Sequence, residues 1–177
     1  AQGHLKIFNR KNKIDTTLKP TVFHKYILFS ILELYAVRIE EVQEITNCSN
    51  ELIKPPGLAS HLSGLLHWRG HTVTVIDSKK LYTKQSTAMT EQTKIIIFKV
   101  RDIYFGLLVD KVDSIASIAE DSKYRLPEVL LCNSPGDALK DVSEVLQLKH
   151  QGVITDHALL LDVERFCNRV LGSRLSA

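Results

Sequence analysis

The sequence predicts a mostly β fold of small closed barrels, finished by one short helix near the C-terminal end. Three observations predict it. Short runs of aliphatic and β-branched residues, similar in length, recur along the chain between turn residues, the pattern of small barrels. Two of these runs, Gly64 to Trp68 and His71 to Asp77, meet at Arg69-Gly70 and read as a β-hairpin whose turn needs positive φ, which Gly70 tolerates. Helical spacing appears in Val163, Phe166, Val170 and Leu171.

Taken in order, Tyr26 to Ile31 is expected to be a strand, followed by Leu34 to Ile39, with Leu32-Glu33 at the turn although neither is a usual turn residue. In the central hairpin, Gly64 marks a bulge or the close approach of another backbone. Arg69, at the rim of an apolar hairpin, must either snorkel to water or find carboxylate and carbonyl partners. Lys84 to Thr93 is polar without periodicity and reads as a surface loop. Lys94 to Val100 and Ile103 to Val112 form another strand pair joined near Arg101-Asp102. Ile95-Ile96-Ile97-Phe98 is too uniformly apolar for a strand wet on one face and is expected to be central. Ser114 to Asp141, broken by Pro127, Pro135 and Gly136, reads as an irregular connection with short strand or turn pieces. Asp162 to Arg174 is expected to be an amphipathic helix that seals the core, with Asp162 as N-cap and Glu164 and Arg165 outward.

At 177 residues the chain suits one domain or two small subdomains sharing a core. No apolar run approaches the roughly 20 residues that span a bilayer, and nothing at the start resembles a signal peptide, so a soluble intracellular protein is expected. Cys48, Cys132 and Cys167 are scattered, odd in number and without a Cys-x-x-Cys pair; they read as small, half-buried hydrophobes rather than a disulfide framework or zinc site. Lys6, Arg10, Lys11, Lys13, Lys19 and Lys25 face only Asp15 in the first 25 residues. That basic arm reads as a solvated tail, with contact to nucleic acid or anionic lipid as the alternative.

Reactive chemistry is poorly represented. Asp77, Asp110 and Asp162 each follow an aliphatic strand, where turn and cap hydrogen bonding explains them better than acid/base or metal work. His67 and His71 have the spacing of a helical metal pair, but Gly70 and the β-patterned flanks exclude a helix there. No Gly-x-Ser-x-Gly elbow or phosphate-binding glycine loop is present. No catalytic residue, metal or cofactor is expected.

The stretch Gly64-Leu65-Leu66-His67-Trp68-Arg69-Gly70, followed by a strand ending in Ile76-Asp77, resembles the CheW-like family of bacterial chemotaxis adaptors. Tyr35 to Ile45 resembles that family's second strand, short helical link and Val-x-Glu-Val element, and Ile53 to Pro56 its proline-bearing lead-in. Phe105-Gly106-Leu107-Leu108-Val109-Asp110-Lys111-Val112 and Leu159 to Phe166 resemble two later strands. The resemblance covers roughly Phe23 to Leu171, and the domain is placed at 23–171, between a basic tail at 1–22 and a short tail at 172–177. The sequence departs from the family where Thr74 and Ser78 replace a usual Pro and Leu, and at Leu32-Glu33.

The resemblance implies two five-stranded SH3-like barrels packed around one hydrophobic core, and a non-catalytic adaptor coupling chemoreceptors to a histidine kinase. The implied partners are the regulatory domain of a CheA-type kinase and the cytoplasmic tip of a methyl-accepting chemoreceptor, which lies in a groove between the barrels. No nucleic acid and no membrane insertion are expected; the implied location is cytoplasmic, with recruitment to membrane receptor arrays. Val42, Glu44, Ile45, Arg69 and Leu108 are the implied partner-binding residues. Val42 and Ile45 read equally as core, and Arg69 as a lock on the hairpin through Glu44, Asp110 or backbone carbonyls. Gly64, Gly70 and Gly106 read as backbone-shaping. The alternatives are a piece of a larger signalling protein, a nucleic-acid-binding barrel using the basic arm and Trp68, and a hydrolase built on the Asp and His residues.

Overall fold

The computed structural model describes residues 20–48, 52–127 and 139–172. Lys6, Arg10, Lys11, Lys13, Asp15 and Lys19 of the basic tail lie outside them, as do Cys132, Pro135, Gly136 and Arg174. The strands run in the order β1 (Phe23–Ile31), β2 (Glu33–Arg38), β3 (Val42–Asn47), β4 (Leu62–Trp68), β5 (His71–Asp77), β6 (Lys94–Val100), β7 (Ile103–Val109), β8 (Lys111–Ala119), β9 (Lys123–Arg125), β10 (Val142–His150) and β11 (Val153–Leu161). Helix α1 (Ser78–Thr83) follows β5 and helix α2 (Val163–Leu171) follows β11. Short 3-10 turns at Ile39–Glu41 and Glu120–Ser122 follow β2 and β8.

The strands form two sheets, one ordered β8-β1-β2-β11-β10-β9 and the other β3-β6-β7-β5-β4. In the first, β8 and β9 stand at opposite edges yet are joined by three residues, a link that spans at most about 15 Å. The two edges therefore lie side by side and the sheet is rolled into a barrel. In the second, Ile53 exchanges both backbone hydrogen bonds with Leu65 on edge strand β4, at 2.9 and 2.7 Å, and occupies the place that β9 takes in the first.

The chain contains two copies of one plan. Hairpin β1/β2, crossing strand β3, the Ile53 bridge, hairpin β4/β5, a capping Asp77 and helix α1 are matched by β6/β7, β8, β9, β10/β11, Asp162 and α2. The parallel pairs β11/β2 and β5/β7 occupy equivalent places. Each barrel takes its first hairpin from one copy and its remaining strands from the other.

Three apolar clusters follow from this arrangement. Tyr26, Leu28, Ala36, Leu146 and Leu160 fill the first barrel, while Val73, Val75, Ile95, Ile97 and Leu108 fill the second. The largest cluster lies between the barrels and draws Ile27, Phe29 and Tyr35 from one sheet and Ile76, Ile96, Phe98, Phe105 and Leu107 from the other. Alternation in β1 and β6 thus sends one face into a barrel and the next into the shared core, which is why Ile95 to Phe98 carries no polar residue. Helix α2 closes the shared core with Phe166, stacked on Phe105 at a centroid separation of 6.0 Å. Its Arg169 clasps the fully buried Asp141 with both nitrogen arms, Nε to Oδ1 at 2.9 Å and Nη2 to Oδ2 at 2.6 Å.

Several expectations are corrected in detail. One sheet has six strands rather than five, because the three residues after the 3-10 turn pair with β10. Only Leu32 separates β1 from β2, and it adopts φ 65°, so Glu33 belongs to the strand. Ile103 to Val112 is not one strand: it breaks at Asp110, where the chain leaves one barrel for the other. The first part of the supposed irregular connection is strand β8, whose alternation is hidden by a register shift between Val112 and Ser114 and by an outward-facing Ile115. Helix α1 is an addition, started by Asp77, whose side chain accepts from the amide of Lys80 and from the amide and hydroxyl of Thr87. Thr74, which stands where the family usually has Pro, lies on an inner strand, opposite Leu65 and Phe105.

Candidate functional site

The β4/β5 hairpin turns at Arg69-Gly70, with Trp68 opposite His71. Both turn residues have positive φ, 47° and 79°, the sign required at both centres of a type I′ turn. At Gly64 the register shifts and a Cβ would lie 2.7 Å from the carbonyl oxygen of Ile53. Bulge and close approach therefore coincide there: only a residue without a side chain lets the Ile53 segment seat against β4. At Gly106 a Cβ would meet Ile95 Cγ2 at 2.7 Å, so the missing side chain makes room for the second barrel's filling.

Glu44, on edge strand β3, is the polar centre of this end of the barrel. Its Oε2 accepts from Trp68 Nε1 at 2.6 Å and its Oε1 from Arg69 Nη2 at 2.9 Å. The carboxylate thereby ties β3 to the tip of the opposite edge hairpin, and Arg69 finds its carboxylate in Glu44 and not in Asp110. Asp110 instead approaches Lys79 Nζ at 3.6 Å and the Leu32 amide at 3.4 Å. The Arg69 side chain remains 69% exposed, so the ion pair itself is worth little, at most about 1 kcal/mol. Its guanidinium carbon lies 5.1 Å from the Trp68 ring centroid.

Around Trp68 the rings continue. Tyr104 lies 5.6 Å from Trp68 and 4.2 Å from His71, and Lys99 Nζ stands 5.3 Å from the Tyr104 ring centroid. Sequence reasoning missed Lys99 and Tyr104. The signal was present in the Arg101-Asp102 turn, because counting back two residues on each side makes them direct cross-strand partners.

The other candidates separate. Val42 and Ile45 are half-buried on β3 and pack against the shared core while its outer edge stays open among the described residues. Leu108 does not reach the surface: it is 0% exposed inside the second barrel, so its side chain supports the sheet from within and offers no direct contact. His67 and His71 lie on the two strands of the hairpin, and among the described residues no cluster of His, Cys, Asp or Glu is suited to a metal ion. Asp162 caps α2 through the Arg165 amide at 3.0 Å.

A cleft of about 540 Å³ opens between the barrels, with Arg38, Glu41, Lys99, Arg101, Glu144 and Glu164 among its walls. Val100, Leu160, Leu161 and Val163 line it beside these charges, so its walls are mixed. Burial pushes the Glu41 carboxyl above its ordinary pKa, with Asp162, Glu40 and Glu164 adding to the rise and Arg38 opposing it. Among the described residues, no helix is long and apolar enough to cross a membrane.

Comparison with known proteins places this architecture. A family model for the CheW-like domain matches residues 25–170. The chemotaxis protein CheW of Bacillus subtilis (strain 168) is 29% identical over 94 residues, which cover 53% of this chain and 60% of that protein. The chemotaxis protein CheW of Klebsiella aerogenes is 25% identical over 109 residues, covering 61% of this chain and 65% of that protein. The matched stretch thus spans less than two-thirds of either curated relative. Among solved structures, the scaffolding protein TtCheW from Thermoanaerobacter tengcongensis aligns with a TM-score of 0.64 at 22% identity, over 82% of this chain and 87% of that one, a likeness of fold. Because the family model takes in both barrels, the crossings between them and the Glu44–Arg69 hairpin end, the chain belongs to the CheW-like domain family.

Proposed function

We propose that this chain is a non-catalytic adaptor of chemotaxis-type signal transduction, cytoplasmic and drawn to membrane receptor arrays. It holds the regulatory domain of a CheA-type histidine kinase and the cytoplasmic tip of a methyl-accepting chemoreceptor. The observation that carries this reading is the family match over both barrels, residues 25–170. It is supported by the state of the polar groups, since Asp77 and Asp162 are spent on capping and Glu44 on holding a hairpin. Val42, Glu44 and Ile45 on open-edged β3, with Arg69 beside them, are the proposed contact residues.

Calorimetric titration of the purified chain, at about 50 µM, against a kinase regulatory domain and against a receptor tip fragment tests the reading. Saturable binding to both, without ATP consumption, is expected. Heat from neither partner ends it.

A further inference from the structure

We propose that the hairpin end of the second barrel is a docking surface for an acidic protein segment, held by Arg69 and Lys99 on either side of the Trp68–His71–Tyr104 rings. The identity of the partner that brings this segment rests on the adaptor reading; the surface itself does not.

Charge decides the kind of occupant. Arg69 spends only one nitrogen on Glu44, and the rest of its fork of five N–H donors faces water. Lys99 is exposed, and among the described residues its ammonium lies over Tyr104 without a carboxylate in ion-pair range. Among the described residues a single carboxylate, Glu44, stands within ion-pair range of either cation, and it is already occupied by Trp68 and Arg69. The ring faces are occupied too, Trp68 by Arg69 and Tyr104 by His71 and Lys99. A nucleic acid would need those faces for base stacking. What remains on offer is a pair of cationic heads on a stiff aromatic base, which matches carboxylates flanking an apolar residue. Trp68 serves as a positioning residue: its indole N–H holds Glu44, so the carboxylate does not draw the whole guanidinium inward.

Trp68 is the single tryptophan of the chain, so its emission reports on this face. A short peptide alternating glutamate and leucine is titrated against the full chain, beside its lysine-for-glutamate counterpart and an oligothymidylate. The expected result is a saturable emission change with the glutamate peptide alone, weakened by salt and about fivefold or more by Lys99→Glu. The kinase regulatory domain should give the same change. No response to the glutamate peptide, or an unaltered response in Lys99→Glu, overturns the inference; a response to oligothymidylate instead overturns it in favour of a nucleic acid. If the kinase domain binds by calorimetry while Trp68 emission stays constant, this surface is refuted and the adaptor reading stands. If the peptide responds as expected and neither the kinase domain nor the receptor tip fragment binds, the surface is supported and the adaptor reading falls.

Discussion

Asp141 has no exposed surface, and its charge is met by the two-armed grip of Arg169, with the Tyr82 hydroxyl donating to the same carboxylate at 3.5 Å. Burial pushes the Tyr82 hydroxyl's pKa up, with Asp141 adding to the rise, so the phenol stays protonated and able to donate. Arg169→Ala strands a carboxylate in the interior and is expected to cost about 3–5 kcal/mol, read from the urea midpoint at constant slope. Replacing both partners by apolar residues, Asp141→Leu with Arg169→Met, is expected to recover most of that loss. At this scale the sequence was legible where chemistry constrained a residue on its own. An arginine on an apolar hairpin demanded a partner, and Glu44 was among those anticipated. Leu108, a contact implied by the resemblance alone, is internal instead, because β7 has two dry faces, one inside a barrel and one in the shared core.

Turns show the same division at the scale of elements. Arg69-Gly70 and Gln151-Gly152 both carry positive φ at two successive positions and end in glycine, and the first of these was legible from that glycine. The β1/β2 turn was not, because it places a leucine, 58% exposed, at φ 65° where an L-residue with a bulky side chain is costly. Leu32→Gly is therefore expected to raise stability by about 0.5–1 kcal/mol, the relief of the left-handed strain exceeding the added freedom of the unfolded chain. A thermal melt showing no gain would refute the strain. Helix α1 was missed for a related reason: six residues are too few to show a period, and the capping hydrogen bonds of Asp77 establish it instead.

For the whole molecule, the repeat was invisible because its copies share a plan and not a spelling. The Ile53 bridge and β9 have no residues in common, and the capping Asp77 and Asp162 were visible only as separate strand ends. The exchange of hairpins has a direct test. Cutting the chain within residues 84–93 separates the copies, and each half then lacks the partner strands of both barrels. Neither half is expected to show native circular dichroism alone, and mixing them is expected to restore it. A half that folds by itself to native ellipticity would contradict the exchange.

Since both covalent crossings, at Ile39–Glu41 and at Asp110, pass through the seam, neither lobe can loosen while its twin stays intact. Melting one locally would pull the other's staves out of place.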